Sequence, residues 1–340
     1  MHAWQISRFG IDSLEFVERP EQTPGPGEVR IKIRAVSFNF RDLMMVKGFY
    51  NPKMKLPRIP CSDGAGEVVA VGEGVTAWKP GDRVTGIFMQ NWIDGPPTPV
   101  KVVGALGGDI DGMLADSVIL NQAGLVRVPE HLSFEEAATL PCAAVTAWNA
   151  LTTAGLRPGA NVLIQGTGGV SIFALQFARL MGMRVLGISS SDEKIERAKT
   201  LGLHAGLNYR QTPDWDKWVL DQTSGEGADL VVEVGGVGTL PVSLRAIRMG
   251  GAIAQIGVLS GPAGSNPGEQ LPLPLILYKQ ARIRGIYVGS RRDFEEMNSC
   301  IALAALKPVV EGCSWHQVRD VFKRMESGAH FGKLAVTVDS

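Results

Sequence analysis

From Met1 to about Val128, apolar and polar residues alternate with a period of two, as in Val29-Arg30-Ile31-Lys32-Ile33-Arg34-Ala35-Val36, and Pro24-Gly25-Pro26-Gly27 and Pro80-Gly81-Asp82 punctuate the runs. This pattern predicts the short strands of a barrel-like β domain. The run Gly64-Ala65-Gly66-Glu67-Val68-Val69-Ala70-Val71-Gly72 continues it, whereas Asn91 to Gly112, rich in Gly and Pro, predicts a long surface loop. Beyond Pro129 the pattern changes. Ser133-Phe134-Glu135-Glu136 places a Ser cap three residues before a Glu, the capping-box spacing that opens a helix. Apolar runs at Val162, Val185, Leu230 and Ile253 then alternate with helical patterns near Ser171, Glu193, Trp215 and Leu240. That alternation predicts a doubly wound parallel sheet with right-handed crossovers. After Leu271 follow a helix, a strand from Ala281 to Val288, two more helices and a last strand from Lys333 to Val338. The chain is thus an α/β protein of two domains: residues 1–128, completed by a returning tail at 285–340, and residues 129–284.

The most specific chemistry lies at the first turn of the second domain. Asn161 to Gln165 read as a short strand, followed by Gly166-Thr167-Gly168-Gly169-Val170-Ser171 and an apolar helix. Glycines at the first positions allow a sharp turn and close backbone approach, and the helix N-terminus offers unpaired N–H groups to a pyrophosphate without needing a basic side chain. Ser171 stands where the third glycine of the dinucleotide fingerprint usually falls. The strand-turn-helix context makes this a dinucleotide-binding unit.

Length and composition fit a two-core protein: 340 residues, 45% hydrophobic, with Lys plus Arg and Asp plus Glu both at 34. This balance gives no electrostatic case for nucleic acid or an acidic membrane, and leaves small-molecule ligands. The start, Met-His-Ala-Trp-Gln-Ile-Ser-Arg, has no basic region leading into an apolar stretch, and no run is apolar enough to span a bilayer, so a cytoplasmic enzyme is expected. Cys61, Cys142, Cys300 and Cys313 are too few and scattered for a disulfide framework.

Taken together, the barrel-like first half, the nucleotide domain ahead of a short return, the Gly64 to Gly72 run and the Gly166 turn resemble the medium-chain dehydrogenase/reductase superfamily over nearly the whole chain. The resemblance implies a GroES-like β-barrel catalytic domain and a Rossmann nucleotide-binding domain. Ala35-Val36-Ser37-Phe38-Asn39-Phe40-Arg41-Asp42 is similar to the zinc-independent quinone-reductase branch. Zinc members of the family carry Cys where this chain has Asn39, and a glycine-histidine-glutamate run where it has Cys61-Ser62-Asp63; only Cys142 matches a ligand position. A catalytic zinc needs about three protein ligands, and the five histidines have no paired spacing to supply them. No zinc is therefore expected. Without that Lewis acid a simple alcohol is a poor hydride donor, whereas a quinone or enone takes hydride with its charge placed on an oxygen that hydrogen-bond donors can stabilise.

By the same resemblance, Asn39, Tyr50, Ser62 and Thr146 fall in segments that surround the nicotinamide. Tyr50 reads equally as a proton donor and as an aromatic wall of the substrate site. Asp42 and Asp63 read as capping or internally bonded acids, and Cys142 as a small buried residue. The second strand ends at Ser189-Ser190-Ser191, and Ser190 with Glu193 has capping-box spacing, which assigns Asp192 and Glu193 to the helix start rather than to a ribose. Lys194 and Tyr209 match positions that contact the 2′-phosphate in NADPH-dependent quinone reductases, so NADPH is the expected cofactor, with NADH the alternative. Val234, Gly235, Gly257 and Val258, at the ends of later strands, are expected against the ribose and nicotinamide. Trp215 and Trp218 read as packing residues, and Arg291 and Arg292 as a solvated helix start. An exposed edge at Ala281 to Val288 suits pairing with a second copy, and a homodimer is expected. Two further readings stay open: an alcohol dehydrogenase acting on a small alcohol or aldehyde, and a nucleotide-binding sensor without turnover.

Overall fold

The computed structural model describes residues 1–257 and 272–338. They cluster into two compact units, Met1–Val145 with Gly289–Ser340, and Thr146–Val288.

The first unit opens with an antiparallel ribbon, β1 (His2–Ile6) and β2 (Leu14–Glu18), and continues through β3 (Glu28–Phe38), α1 (Phe40–Val46), β4 (Asp63–Val71), β5 (Arg83–Gly86), β6 (Ser117–Asn121), β7 (Leu125–Arg127) and α2 (Phe134–Ala138). Along β3 the side chains alternate between buried and half-buried up to Arg34, and from Ala35 to Phe38 all are buried. This is the period-two signal of a half-buried strand giving way to a strand end enclosed on both faces. The stretch between β5 and β6, including residues 91–112, holds no named strand or helix. Ser133 caps α2 with the reciprocal Glu136 bond, and α2 packs against β3 and β4, which is why residues 129–145 cluster with the first unit.

The second unit runs α3 (Val145–Thr152), β8 (Asn161–Gln165), α4 (Gly169–Leu180), β9 (Arg184–Ser189), α5 (Asp192–Thr200), β10 (Ala205–Asn208), α6 (Trp215–Gln222), β11 (Ala228–Glu233), α7 (Leu240–Ala246), β12 (Ile247–Gln255), α8 (Leu273–Lys279) and β13 (Arg282–Gly285). Its sheet is parallel throughout, in the order β10-β9-β8-β11-β12-β13, the 3-2-1-4-5-6 order of a Rossmann domain. Trp215 lies buried in the core on one face of this sheet, with Trp218 packed against it. The chain then re-enters the first unit with α9 (Arg291–Leu303), β14 (Val310–Ser314), α10 (Val318–Glu326) and β15 (Lys333–Thr337). β15 pairs with β3, giving the path β14-β15-β3-β4-β5-β7, from which β6 branches onto β3.

Two details depart from the pattern. The helix after β9 is capped not by Ser190 but by Ser191, whose extended backbone lets its Oγ accept from Lys194 N. Strands β10 and β14 are absent from the hydrophobic pattern: Ala-Gly-Leu-Asn and Val-Glu-Gly-Cys-Ser each contain a glycine and at most one β-branched residue. No helix among the described residues is long and apolar enough to cross a membrane.

Candidate functional site

In the second unit, β8 delivers the chain to Gly166, which adopts φ 70°, a left-handed conformation that favours glycine and turns the backbone from strand to helix. Gly168 caps α4, and Gly169 and Val170 begin a 12-residue helix with no acid in its first turn. Ser171, in the third-glycine place, is buried and donates its hydroxyl to Gln165 O at 2.6 Å, tying the helix start to the strand end. Thr167 is buried within the turn. A glycine turn feeding a helix N-terminus with no side-chain cap is an arrangement that could hold a pyrophosphate.

Beside it, Ser189 is buried at the end of β9, and Tyr209 N donates to Ser189 O at 3.0 Å. Ser190 follows, and Ser191 is spent on the cap. Asp192 is engaged as an acceptor: its carboxylate takes Asn208 Nδ2 at 3.1 Å and Gln211 Nε2 at 2.7 Å. Lys194 lies in the first turn of the same helix.

The end of β11 carries a network that is not legible in the sequence. Glu233 is fully buried and, among the described residues, accepts from Gln165 Nε2, Gly235 N, Gly236 N, Thr239 Oγ1 and Ser243 Oγ, none of them a cation. Gln165 Oε1 accepts in turn from Val234 N and Gly235 N. The N–H groups of Val234 and Gly235 are therefore spent internally, and these residues can offer a ligand only close approach. At Gly257 a Cβ would fall 1.9 Å from Val234 O, so that backbone contact requires glycine. Val258 lies outside the described residues.

In the first unit, Asn39 sits between β3 and α1, and its N–H donates to Asp42 Oδ2 at 2.9 Å. Asp42 also receives Arg41 Nη1 at 3.1 Å; burial nonetheless pushes its carboxyl upward, opposed by Arg41. Around Asn39 runs a closed circuit. Lys333 Nζ, from the start of β15, donates to Asn39 Oδ1 at 2.5 Å and to Phe38 O at 2.7 Å; Asn39 Nδ2 donates to Ser62 Oγ at 3.4 Å; Ser62 Oγ donates to Asp63 Oδ1 at 2.6 Å; and Asp63 Oδ2 faces Lys333 at 3.7 Å. Ser62 and Asp63 are fully buried, Lys333 is 3% exposed and Asn39 7%. Cys142 N donates to Asp63 Oδ2 at 3.3 Å, and burial, reinforced by Asp63, pushes the Cys142 thiol far above the ordinary range.

The structure thus joins Asn39 and Ser62 directly. Tyr50 stands apart, 42% exposed, connected to the cluster through Arg41, whose guanidinium lies 5.7 Å from its ring centre. Thr146 is buried in α3 of the second unit. Arg291 and Arg292 open α9, paired with Glu295 and Glu296. The signal for Lys333 was available: a lysine at a strand position whose neighbours Leu334, Ala335 and Val336 are all apolar.

Two family models match the chain, "Alcohol dehydrogenase GroES-like domain" over residues 25–130 and "Zinc-binding dehydrogenase" over residues 169–302. The chain is similar to a zinc-type alcohol dehydrogenase-like protein of Schizosaccharomyces pombe, 44% identical over 98% of this chain and 97% of that protein. It is also similar to an acryloyl-coenzyme A reductase of Metallosphaera sedula, 33% identical over 95% and 96%. Among solved structures, an NAD-dependent alcohol dehydrogenase superposes with a TM-score of 0.90 at 34% identity, covering 100% of both chains.

Proposed function

We propose, from the premise that the chain belongs to the medium-chain dehydrogenase/reductase superfamily and is one of its NAD(P)-dependent oxidoreductases, that it is a zinc-independent reductase using NADPH on quinones, enones or related activated carbonyl compounds. One observation carries this reading: the Asn39-Ser62-Asp63-Lys333 circuit at the place where zinc members hold their metal.

These residues do not fit a zinc ion. Asn39 and Ser62 are neutral, Cys142 supplies a single thiol, and the Lys333 ammonium already occupies hydrogen-bonding distance of Asn39 Oδ1. A divalent cation there would face a fixed positive charge and lack the thiolate and imidazole donors it needs. What remains is a hydrogen-bonding site. Such a site suits an acceptor whose charge builds on a conjugated oxygen, and the acryloyl group in one relative's name is a conjugated acyl group of this kind.

The glycine turn fits a dinucleotide, and when bound there the nicotinamide cofactor supplies the hydride. Gly166, Thr167, Gly168, Gly169 and Val170 would cradle the pyrophosphate, with Ser189, Ser190, Ser191, Lys194 and Tyr209 around the adenosine ribose. The preference for NADPH rests on Asp192, whose carboxylate is engaged by Asn208 and Gln211 in place of a ribose, and on Lys194 in the adjoining turn. One solved neighbour is named NAD-dependent, so the nucleotide is the first property to measure. Steady-state oxidation of NADPH and NADH with a small quinone and with a conjugated enone tests the reading. We expect NADPH to be preferred and both acceptors to be reduced; equal or better use of NADH overturns the nucleotide assignment, and faster NAD(P)+-dependent oxidation of a small alcohol overturns the substrate class.

The working form is taken to be a cytoplasmic homodimer. The four cysteines are all free thiols, which suits a reducing compartment, and β13 ends the parallel sheet with all four of its residues exposed.

A further inference from the structure

We propose that Lys333 is the positioning residue of this site: its buried ammonium fixes the Asn39 carboxamide so that an N–H of Nδ2, and not Oδ1, is presented to the substrate oxygen. The inference rests on the reductase reading above and assigns the donor within it.

The direction of every proton in the circuit follows from chemistry. An ammonium only donates, and a carboxylate only accepts. Ser62 Oγ, 2.6 Å from Asp63 Oδ1, must therefore give its proton to Asp63 and accept from its other neighbour, Asn39 Nδ2. Asn39 must then turn Oδ1 toward Lys333. The two ends of an amide have nearly the same shape, and only such partners decide which way it faces. Ser62, with its proton committed and no surface exposed, has nothing to give a ligand. Asn39 has two N–H hydrogens on Nδ2, of which Ser62 takes one, and it keeps more exposure than any other member of the circuit. The second hydrogen is the donor that remains. Lys333 also polarises the amide through Oδ1, which makes Nδ2 a stronger donor to a developing anion. A charge that zinc members supply through a metal is here supplied through one side chain acting on another.

Lys333→Met, Asn39→Ala and the double variant, compared in kcat, NADPH affinity by fluorescence titration, and Tm, test the proposal. We expect Lys333→Met to lower kcat about 100-fold with NADPH affinity unchanged within about two-fold, and the double variant to be no slower than Asn39→Ala alone. Full multiplication of the two losses, or an unchanged kcat in Lys333→Met, overturns it. Lys333→Arg keeps a cation should Lys333→Met fail to fold, and is expected to retain most of kcat. Independently of turnover, [15N]asparagine-labelled protein reports the Asn39 side-chain amide, assigned by its loss in Asn39→Ala. Slow solvent exchange of one Nδ2 proton supports the fixed orientation, and free exchange of both overturns it. If the wild-type protein reduces neither quinone nor enone, the reductase reading fails, and the loss or persistence of the slow amide exchange in Lys333→Met still decides whether Lys333 holds Asn39.

Discussion

Asn39 and Cys142 show how a single side chain changes the chemistry open to this site. Asn39→Ala removes the proposed donor, and kcat for enone reduction is expected to fall about 100-fold, as when one oxyanion-stabilising donor is lost; a loss below about three-fold would place the donor elsewhere. Cys142 is held protonated by burial and by Asp63, so iodoacetamide at pH 8 is expected to leave it unmodified in the folded protein, read by peptide mass spectrometry. Asp82 gives a pH signature. Its side chain accepts from Arg127 Nη1 at 3.0 Å and Lys79 N at 3.1 Å, and the Arg127 bond holds its carboxyl below the ordinary range. A carboxyl lowered on folding stabilises the native state above its unfolded value and loses that contribution as pH falls through its folded value. Asp82→Asn is therefore expected to cost about 1 kcal/mol at pH 7, and the gap from wild type should close as denaturation is repeated below about pH 4. At this scale the sequence was partly legible. The Pro80-Gly81-Asp82 turn and the internal bonding of Asp42 and Asp63 follow from residue type, but Lys333 meets Asn39 across 294 positions of chain, and no local pattern reports that pairing.

Among the elements, the ends of β8, β11 and β12 form one unit, because Gln165 and Glu233 lock the turn after β11 while Gly257 lets the chain beyond β12 pass against Val234. Glu233→Ala leaves several buried donors unpaired and is expected to lose about 3 kcal/mol in urea unfolding, with NADPH affinity weakened as the turn relaxes. An unchanged midpoint would mean that water replaces the carboxylate. Apart from β10, the strands of the parallel sheet were legible because apolar runs alternating with helical patterns allow few alternatives. The short strands β10 and β14 were not, since partners in the sheet and not their own residues make them extended. The cap of α5 moved by one residue because three successive serines offer the same chemistry, and only the backbone decides which of them turns the chain.

For the whole molecule, the proposed dimer would cover the exposed edge at β13 and the exposed Leu277 and Tyr278 of α8. Sedimentation is expected to give a dimer for the wild type and a monomer for Ile283→Pro, which cannot extend the sheet; a wild-type monomer would remove the assembly from the proposal. Family and fold were legible in the glycine turn and in the order of elements. Substrate was not, because one fold hosts many chemistries and the proposed pair, Asn39 and Lys333, is brought together only by folding. The central claim is a reductase whose charge-stabilising site contains a lysine in place of a metal. Its most direct test is NADPH-dependent reduction of a conjugated enone by chelator-treated protein whose metal content is measured in the same sample. Full turnover with metal far below one equivalent is the predicted result, whereas activity that disappears on chelation and returns with added zinc would contradict it.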